Sequence, residues 1–419
     1  MHKKTIINKG ALLILIWMIF QSPANADNLL LKVDEHNWRV DPERLGWVES
    51  YEKWYWREWE VALPDDEYDE SQVIPLLNQK KISGIDGKKA SDYLERKIKA
   101  QVEREKRDVV IDQDENGKIA FEGFALEGRK LKMDQAVQLI QAAFKVHSDE
   151  VHLPIQKIAP LIEVKSPILK EKGIKELVST GETSFKGSPA NRINNIQVGI
   201  GRFNGVLIPP QAEFILGDTL GPVDASTGYK KELVITGDKT VPEYGGGLCQ
   251  VSTTIYRGAL WAGLEITKRK NHSYAVSYYD PQGLDATIYP PTVDLYFINN
   301  SDHYLLMQTM TTEDGKAYVN YYGSKDGRKV TLMGPHYYNN VGAPPPRTEY
   351  TDKLAPGEKE KLGEAHPGFQ ASWYRQVSFS ETGKAPLKEH IFSSYQARPL
   401  YYLVGGKEPE KKRISENGT

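Results

Sequence analysis

Gly245-Gly246-Gly247-Leu248-Cys249-Gln250-Val251-Ser252-Thr253-Thr254 runs from three glycines into an apolar pattern, and the only cysteine of the chain stands at the junction. Val251, Ile255, Ala259, Leu260 and Leu264 recur at helical spacing on one face, which predicts a helix of about four turns ending near Gly263 with Cys249 at its amino end. Unpaired amides and the helix dipole favour negative charge there, so a thiolate is stabilised and the thiol pKa lowered. The amides around Gly246, Gly247, Cys249 and Gln250 could hold an oxyanion. Glycines lack a β-carbon, which admits positive φ angles and lets a substrate backbone approach the sulfur. Ser252 and Thr253 are read as helix-capping residues.

A cysteine nucleophile needs a proton acceptor and donor, and His272 in Lys270-Asn271-His272-Ser273 is the nearest candidate along the chain. The residues after it predict a hairpin: a strand Tyr274–Tyr279, a turn at Asp280-Pro281-Gln282-Gly283, and a return strand Leu284–Tyr289. In a regular hairpin Asp285 would sit beside the turn, roughly 20 Å along the strand from His272. Asp294, after Pro290-Pro291, is better placed to orient the imidazole, although either aspartate could serve only to cap a turn. The plain alternative is that Cys249 is a small buried apolar residue and His272 a hydrogen-bonded strand-end residue. One thiol, no Cys-x-x-Cys and no paired histidines at ligand spacing argue against a metal site, and no cofactor is implied.

Lys3, Lys4, the apolar run Ala11–Phe20 and Ser22-Pro23-Ala24-Asn25-Ala26 form a leader pattern with a small-x-small cleavage site, so residues 1–26 are predicted to be a signal peptide. The run is too short to span a bilayer, and no later stretch approaches the roughly 20 apolar residues a spanning helix needs. An extracytoplasmic protein without a stable membrane span is expected: secreted, periplasmic or associated with the cell wall. Cys249 lies too far from the amino terminus for lipid attachment after a leader, and with no second cysteine it cannot form an internal disulfide, the usual use of cysteine outside the cell. Charges nearly cancel, 54 basic against 56 acidic, which argues against a nucleic-acid partner.

The length of 419 residues, with an apolar share of 39%, implies several domains with real cores. Residues 27–89 form an aromatic-rich strand segment in which Trp38, Trp47, Trp54, Trp56 and Trp59 are read as packing a small sheet rather than stacking on sugars. Residues 90–170 read as an α+β module: a helix from Ala90 to about Arg107, a hairpin turned at Asn116-Gly117, and a helix opened by Met133-Asp134-Gln135. Asp112, Asp114, Asn116 and Gly117 imitate a calcium loop, but its closing glutamate is due at Gly123 and Glu122 misses by one. A polar entry segment, Ser184–Asn195, leads to a predicted helix Ile196–Val206 stopped by Pro209-Pro210. Beyond residues 311–346, which close with the stiff run Gly342-Ala343-Pro344-Pro345-Pro346, a strand-rich module is expected at 347–405 and a disordered tail at 406–419.

The glycine–cysteine motif, then His272-Ser273, Asp285-Ala286-Thr287 and Asp294-Leu295-Tyr296-Phe297-Ile298-Asn299, with Asn194-Asn195-Ile196 and the stretch from Asn204-Gly205 to Pro210, resembles the VanW domain over about residues 178–310. One departure is Pro210-Gln211-Ala212-Glu213-Phe214-Ile215-Leu216-Gly217, where family members read Pro-Gly-Glu-x-Phe-Ser-Phe-Asn. Residues 90–164 resemble the peptidoglycan-binding module often found ahead of that domain, and 347–405 a five-glycine wall-associated module. The fold implied is multidomain α+β, a mixed helix and antiparallel-sheet core flanked by smaller modules. Some VanW members are similar in activity to L,D-transpeptidases, so the resemblance implies a cysteine acyltransferase acting on peptidoglycan stem peptides to make 3-3 cross-links. Cys249 would be the nucleophile and His272 the proton shuttle, with stem peptides and glycan as partners. The rival reading is a non-enzymatic peptidoglycan-binding or envelope-associated protein linked to glycopeptide resistance.

Overall fold

The computed structural model describes residues 28–33, 36–56, 59–61, 78–236, 239–379 and 385–407. The predicted leader and the tail beyond residue 407 lie outside the described residues. The chain is a multidomain α+β protein built from many small, mostly antiparallel sheets. It divides into two compact units, Met1–Glu103 with Arg129–Gln156, and Arg104–Gly128 with Lys157–Thr419. Among the described residues no helix is long and apolar enough to cross a membrane.

In the first unit, Leu29–Val33 pairs antiparallel with His36–Val40 and parallel with Glu150–His152. Val48–Trp56 pairs with Trp59–Val61 and Asn78–Ile85. The helix predicted from Ala90 begins earlier, at Gly87, because the Asp86 carboxylate accepts the amides of Lys88 and Lys89 and so caps it. It widens to π geometry over Leu94–Lys99 and ends at Val102. Trp47 is buried and meets Tyr93 edge to face at 5.3 Å, a packing role. The helix Met133–Lys145 buries Ala136, Ile140 and Ala143 against the same core.

The second unit is organised around the helix Leu248–Trp261, which lies on an antiparallel sheet ordered Glu176–Ser184, Lys316–Gly323, Leu305–Thr311, Leu207–Ile208. Two glycines set the distance between them. A β-carbon on Gly181 would come within 2.0 Å of the Thr254 carbonyl oxygen, and one on Gly258 within 2.5 Å of the Tyr321 ring. The Tyr321 hydroxyl donates to Ile255 O at 3.0 Å and Ser179 Oγ to Gly258 O at 2.8 Å. The predicted inner face, Val251, Ile255, Ala259, Leu260 and Leu264, is fully buried. The opposite face is buried too, including Gln250, Ser252, Thr253, Thr254 and Arg257, so this is a central helix rather than a half-exposed one.

Other elements close around it. Ala190–Gly201 is helical several residues before the predicted start, since Ser188-Pro189 launches it and the asparagines of the supposed entry segment lie on the helix itself. Glu213–Ile215, Tyr296–Ile298 and Glu265–Lys268 form a three-stranded sheet with Tyr296–Ile298 in the middle. Arg328–Val341, on the near side of the proline run, pairs with Gly368–Phe379 on its far side, and the latter with Leu387–Tyr395. Trp373 from that sheet belongs to the same core as the central helix. The hairpin Arg107–Gln113 and Ile119–Leu126 also belongs to this unit. At its tip the Asp114 carboxylate accepts the amides of Asn116 and Lys118, a turn contact rather than a metal ligand set.

Candidate active site

Cys249 is the second residue of the central helix and is partly buried. The glycines before it are needed for conformation and packing. Gly245 (φ 83°) and Gly247 (φ 115°) lie in the left-handed region. A β-carbon on Gly247 would press on Arg192 Cγ and Ile196 Cγ1 at 3.1 Å each, and one on Gly246 on the Glu232 backbone at 2.9 Å. The glycines therefore face protein atoms, not an open mouth for substrate. Asn195, fully buried, fixes the turn: its Nδ2 donates to Lys230 O at 2.9 Å and Gly246 O at 3.1 Å, while its Oδ1 accepts the Lys230 amide at 2.7 Å.

His272 and Asp285 reach the sulfur by a route the hairpin reading did not foresee. Residues 273–283 do not form a strand; they fold into an irregular loop with a single 3-10 turn at Ser277–Tyr279. Arg257 holds that loop, donating from Nε to Leu284 O at 3.1 Å and from Nη2 to Tyr279 O at 2.6 Å. The compact path brings Asp285 onto His272, with Oδ2 accepting both the His272 amide at 2.8 Å and ring Nδ1 at 2.6 Å. Asp294, the geometrically favoured partner of a regular hairpin, is elsewhere. Its carboxylate accepts the amides of Gly217 and Leu295, and a β-carbon on Gly217 would sit 2.5 Å from its Oδ2.

With Nδ1 bonded to Asp285, Nε2 is the ring nitrogen left for the thiol, and His272 lies close enough to Cys249 to shift its pKa. Burial pushes the Cys249 pKa up, but the hydrogen bond and charge of His272 outweigh it and lower it to about 7. Burial likewise opposes the imidazolium, yet the bonds to Asp285 and Cys249 raise the His272 pKa to about 9. Asp285 is fully buried, and burial opposes its charge, but His272 and then Arg269 hold it well below the usual carboxylate range. Between about pH 7 and about pH 9 these shifts favour a thiolate–imidazolium pair. Asp294 differs: burial raises its pKa despite its two amide donors.

Several participating residues escaped the sequence reading. Thr287 Oγ1 lies 3.4 Å from Cys249 Sγ and the Ile288 carbonyl oxygen 3.6 Å from it. Asp285 Oδ1 accepts from Arg269 Nη2 at 3.3 Å and from the Tyr395 hydroxyl. Tyr279 stacks on the His272 ring at 4.6 Å. Asp285-Ala286-Thr287 carried the signal for Thr287; nothing local marks Tyr395, which is 110 residues from Asp285.

The predicted oxyanion and capping residues divide. Among the described residues the amides of Gly247 and Cys249 have no acceptor, whereas that of Gln250 donates to Gly247 O at 2.9 Å. The Gln250 side chain is buried on Thr183. Neither Ser252 nor Thr253 caps the helix, since Gly247 holds the N-cap position without a side-chain bond. Ser252 Oγ is buried without a partner, and Thr253 Oγ1 donates back to Cys249 O at 2.7 Å while accepting the Ala286 amide at 3.0 Å. Thr253 thereby ties the Cys249 turn to the segment bearing Asp285 and Thr287. No group of three or more His, Cys, Asp or Glu side chains among the described residues could hold a metal ion.

Residues 191–322 match the family described as VanW like protein. This segment belongs to the VanW family. The chain is 28% identical over 159 residues to the uncharacterized protein YoaR of Bacillus subtilis, covering 38% of this chain and 51% of that one. It is 30% identical over 117 residues to the vancomycin B-type resistance protein VanW of Enterococcus faecalis, covering 27% of this chain and 42% of the relative. The chain thus spans about half the length of these relatives or less. The VanW segment contains Cys249, His272 and Asp285, but not Tyr395.

Proposed function

We propose that this chain is an exported cysteine acyltransferase of the cell wall, acting on peptidoglycan stem peptides in the manner of an L,D-transpeptidase. The observation that carries this reading is the Cys249–His272–Asp285 relay, buried at His272 and Asp285 and partly exposed at Cys249, at a helix amino end whose Gly247 and Cys249 amides are unspent among the described residues. The Enterococcus relative is named for vancomycin resistance, and we carry an association with that resistance over to this chain.

In the proposed reaction the Cys249 thiolate attacks the carbonyl carbon of the third stem residue. A C–S bond forms and the oxyanion lies toward the free amides. The C–N bond to the terminal residue then breaks, and the His272 imidazolium gives its proton to the departing amine. An acceptor amine attacks the thioester, His272 takes its proton, and the thiolate is restored. Asp285 keeps the imidazole in the tautomer and orientation both steps require.

Incubating the mature protein with a carbapenem tests this. A mass adduct that Cys249→Ala abolishes is expected, and its absence would leave the chain as a wall-binding protein without this chemistry. Purified disaccharide-tetrapeptides then distinguish transpeptidation, which yields dimers, from carboxypeptidation, which yields tripeptides.

A further inference from the structure

Arg192 lies on the helix Ala190–Gly201 with only 9% of its surface exposed. Its stem packs beside Gly247. Its guanidinium donates to Ser188 Oγ at 2.6 Å and lies over the Tyr278 ring at 4.1 Å, and the next residue, Tyr279, stacks on His272. Among the described residues no carboxylate pairs with it. A guanidinium cannot shed its proton to escape burial, so an unanswered buried one is costly. Near the site, Arg269 is answered by Asp285 and Arg257 by main-chain carbonyls, and farther off Arg328 is answered by Asp326 and Arg375 by Glu389, while Arg398 lies over the rings of Tyr274 and Tyr401.

The charge of the site points the same way. The Cys249–His272 pair is neutral overall whether the proton sits on sulfur or nitrogen, and Asp285 is matched by Arg269. The charge of Arg192 is left over, on the ring of Tyr278, next in the chain to the Tyr279 that stacks on the imidazole. We infer that Arg192 receives a carboxylate of the acyl donor, making it a binding residue that selects anionic stem peptides. This rests on the acyltransferase reading. A stem peptide offers two carboxylates near the scissile bond, that of the leaving terminal residue and that of the diamino acid side chain, and the chemistry of recognition is the same for both.

The full chain can be alkylated at Cys249 with iodoacetate and with iodoacetamide, which share a leaving group and differ in charge. Arg192→Gln is expected to lower the rate ratio of iodoacetate to iodoacetamide about tenfold, and Arg192→Lys to preserve it. An equal ratio in all three proteins overturns the inference while leaving the nucleophile intact. Failure of both reagents to label wild-type Cys249 overturns the nucleophile reading and this one with it. A second arm needs no substitution: tetrapeptide donors carrying a carboxamide at the terminal position, or at the diamino acid side chain, are compared with the unmodified donor as protectants of wild-type Cys249 against iodoacetamide. Loss of protection with one amidated donor identifies the carboxylate that Arg192 binds. Equal protection by all three overturns the inference.

Discussion

Cys249 is held by regular structure: a buried helix, a glycine turn locked by Asn195, and a sheet that approaches the helix closely through Gly181 and Gly258. His272 and Asp285 are held by the opposite means. Their loop has almost no repeating hydrogen bonds, and its shape is imposed by side chains from elsewhere, Arg257 on the helix and Arg269, Trp373 and Tyr395 around it. One wall of the site is fixed by backbone geometry and the other by long-range polar contacts. Substitutions on the loop should therefore change chemistry before stability, and those beneath the helix should do the reverse.

The largest effect is expected at His272. His272→Ala should lower acyl transfer by about a thousandfold, the scale of losing general acid–base assistance, and should slow alkylation of Cys249 at neutral pH. The wild-type alkylation rate should rise with pH through a midpoint near 7, where the thiol loses its proton, and acyl transfer should fall again above about 9, where the imidazolium is lost. A midpoint at the ordinary thiol value would break the ion-pair description.

Asp285→Asn and Asp294→Asn form the next contrast. The first should cost about a hundredfold in kcat/KM and move the alkylation midpoint upward, because an imidazolium without its carboxylate is less stable and supports the thiolate less. Asp294 holds only the Gly217 and Leu295 amides, so Asp294→Asn should leave the midpoint in place and act on thermal stability alone. Beneath the helix, Gly181→Ala should destabilise by about 1–3 kcal/mol or more through overpacking, read as a lower Tm. The alkylation midpoint of the folded fraction should not move.

The same division decides how much of the site could be read along the chain. The helix from Leu248 was visible because Val251, Ile255, Ala259 and Leu260 repeat at its period, and its amino end located Cys249 without any knowledge of the fold. Its burial on every face is not legible along the chain, since Gln250, Thr253 and Thr254 look polar and find their partners on a strand and a loop distant in sequence. Asp285 is a candidate in the sequence but ranks behind Asp294, because Asp280-Pro281-Gln282-Gly283 has hairpin composition. The hydrogen bonds from Arg257 to Tyr279 O and Leu284 O, which compact the loop instead, leave no local trace. Arg192 was missed for a related reason: it lies in a stretch read as a polar entry segment, where an arginine draws no attention.

Tyr395 carries the smallest expected effect. Its hydroxyl donates to Asp285 and accepts the Gly283 amide at 2.8 Å, so a strand outside the VanW segment completes the carboxylate's hydrogen-bond set. Tyr395→Phe keeps the ring against Phe369 and removes only the oxygen. Such a bond to a charged group is worth about 1.5–3 kcal/mol, and because Arg269 and His272 still hold the carboxylate only part of that reaches the transition state, about tenfold or less in kcat/KM with the fold retained. Binding to isolated cell walls measures the other role open to residues 347–405, attachment. Reduced turnover with unchanged wall binding would mean that this strand contributes to the loop wall of the site, whereas reduced wall binding with unchanged turnover would assign the strand to attachment and leave Arg269 to hold Asp285 Oδ1.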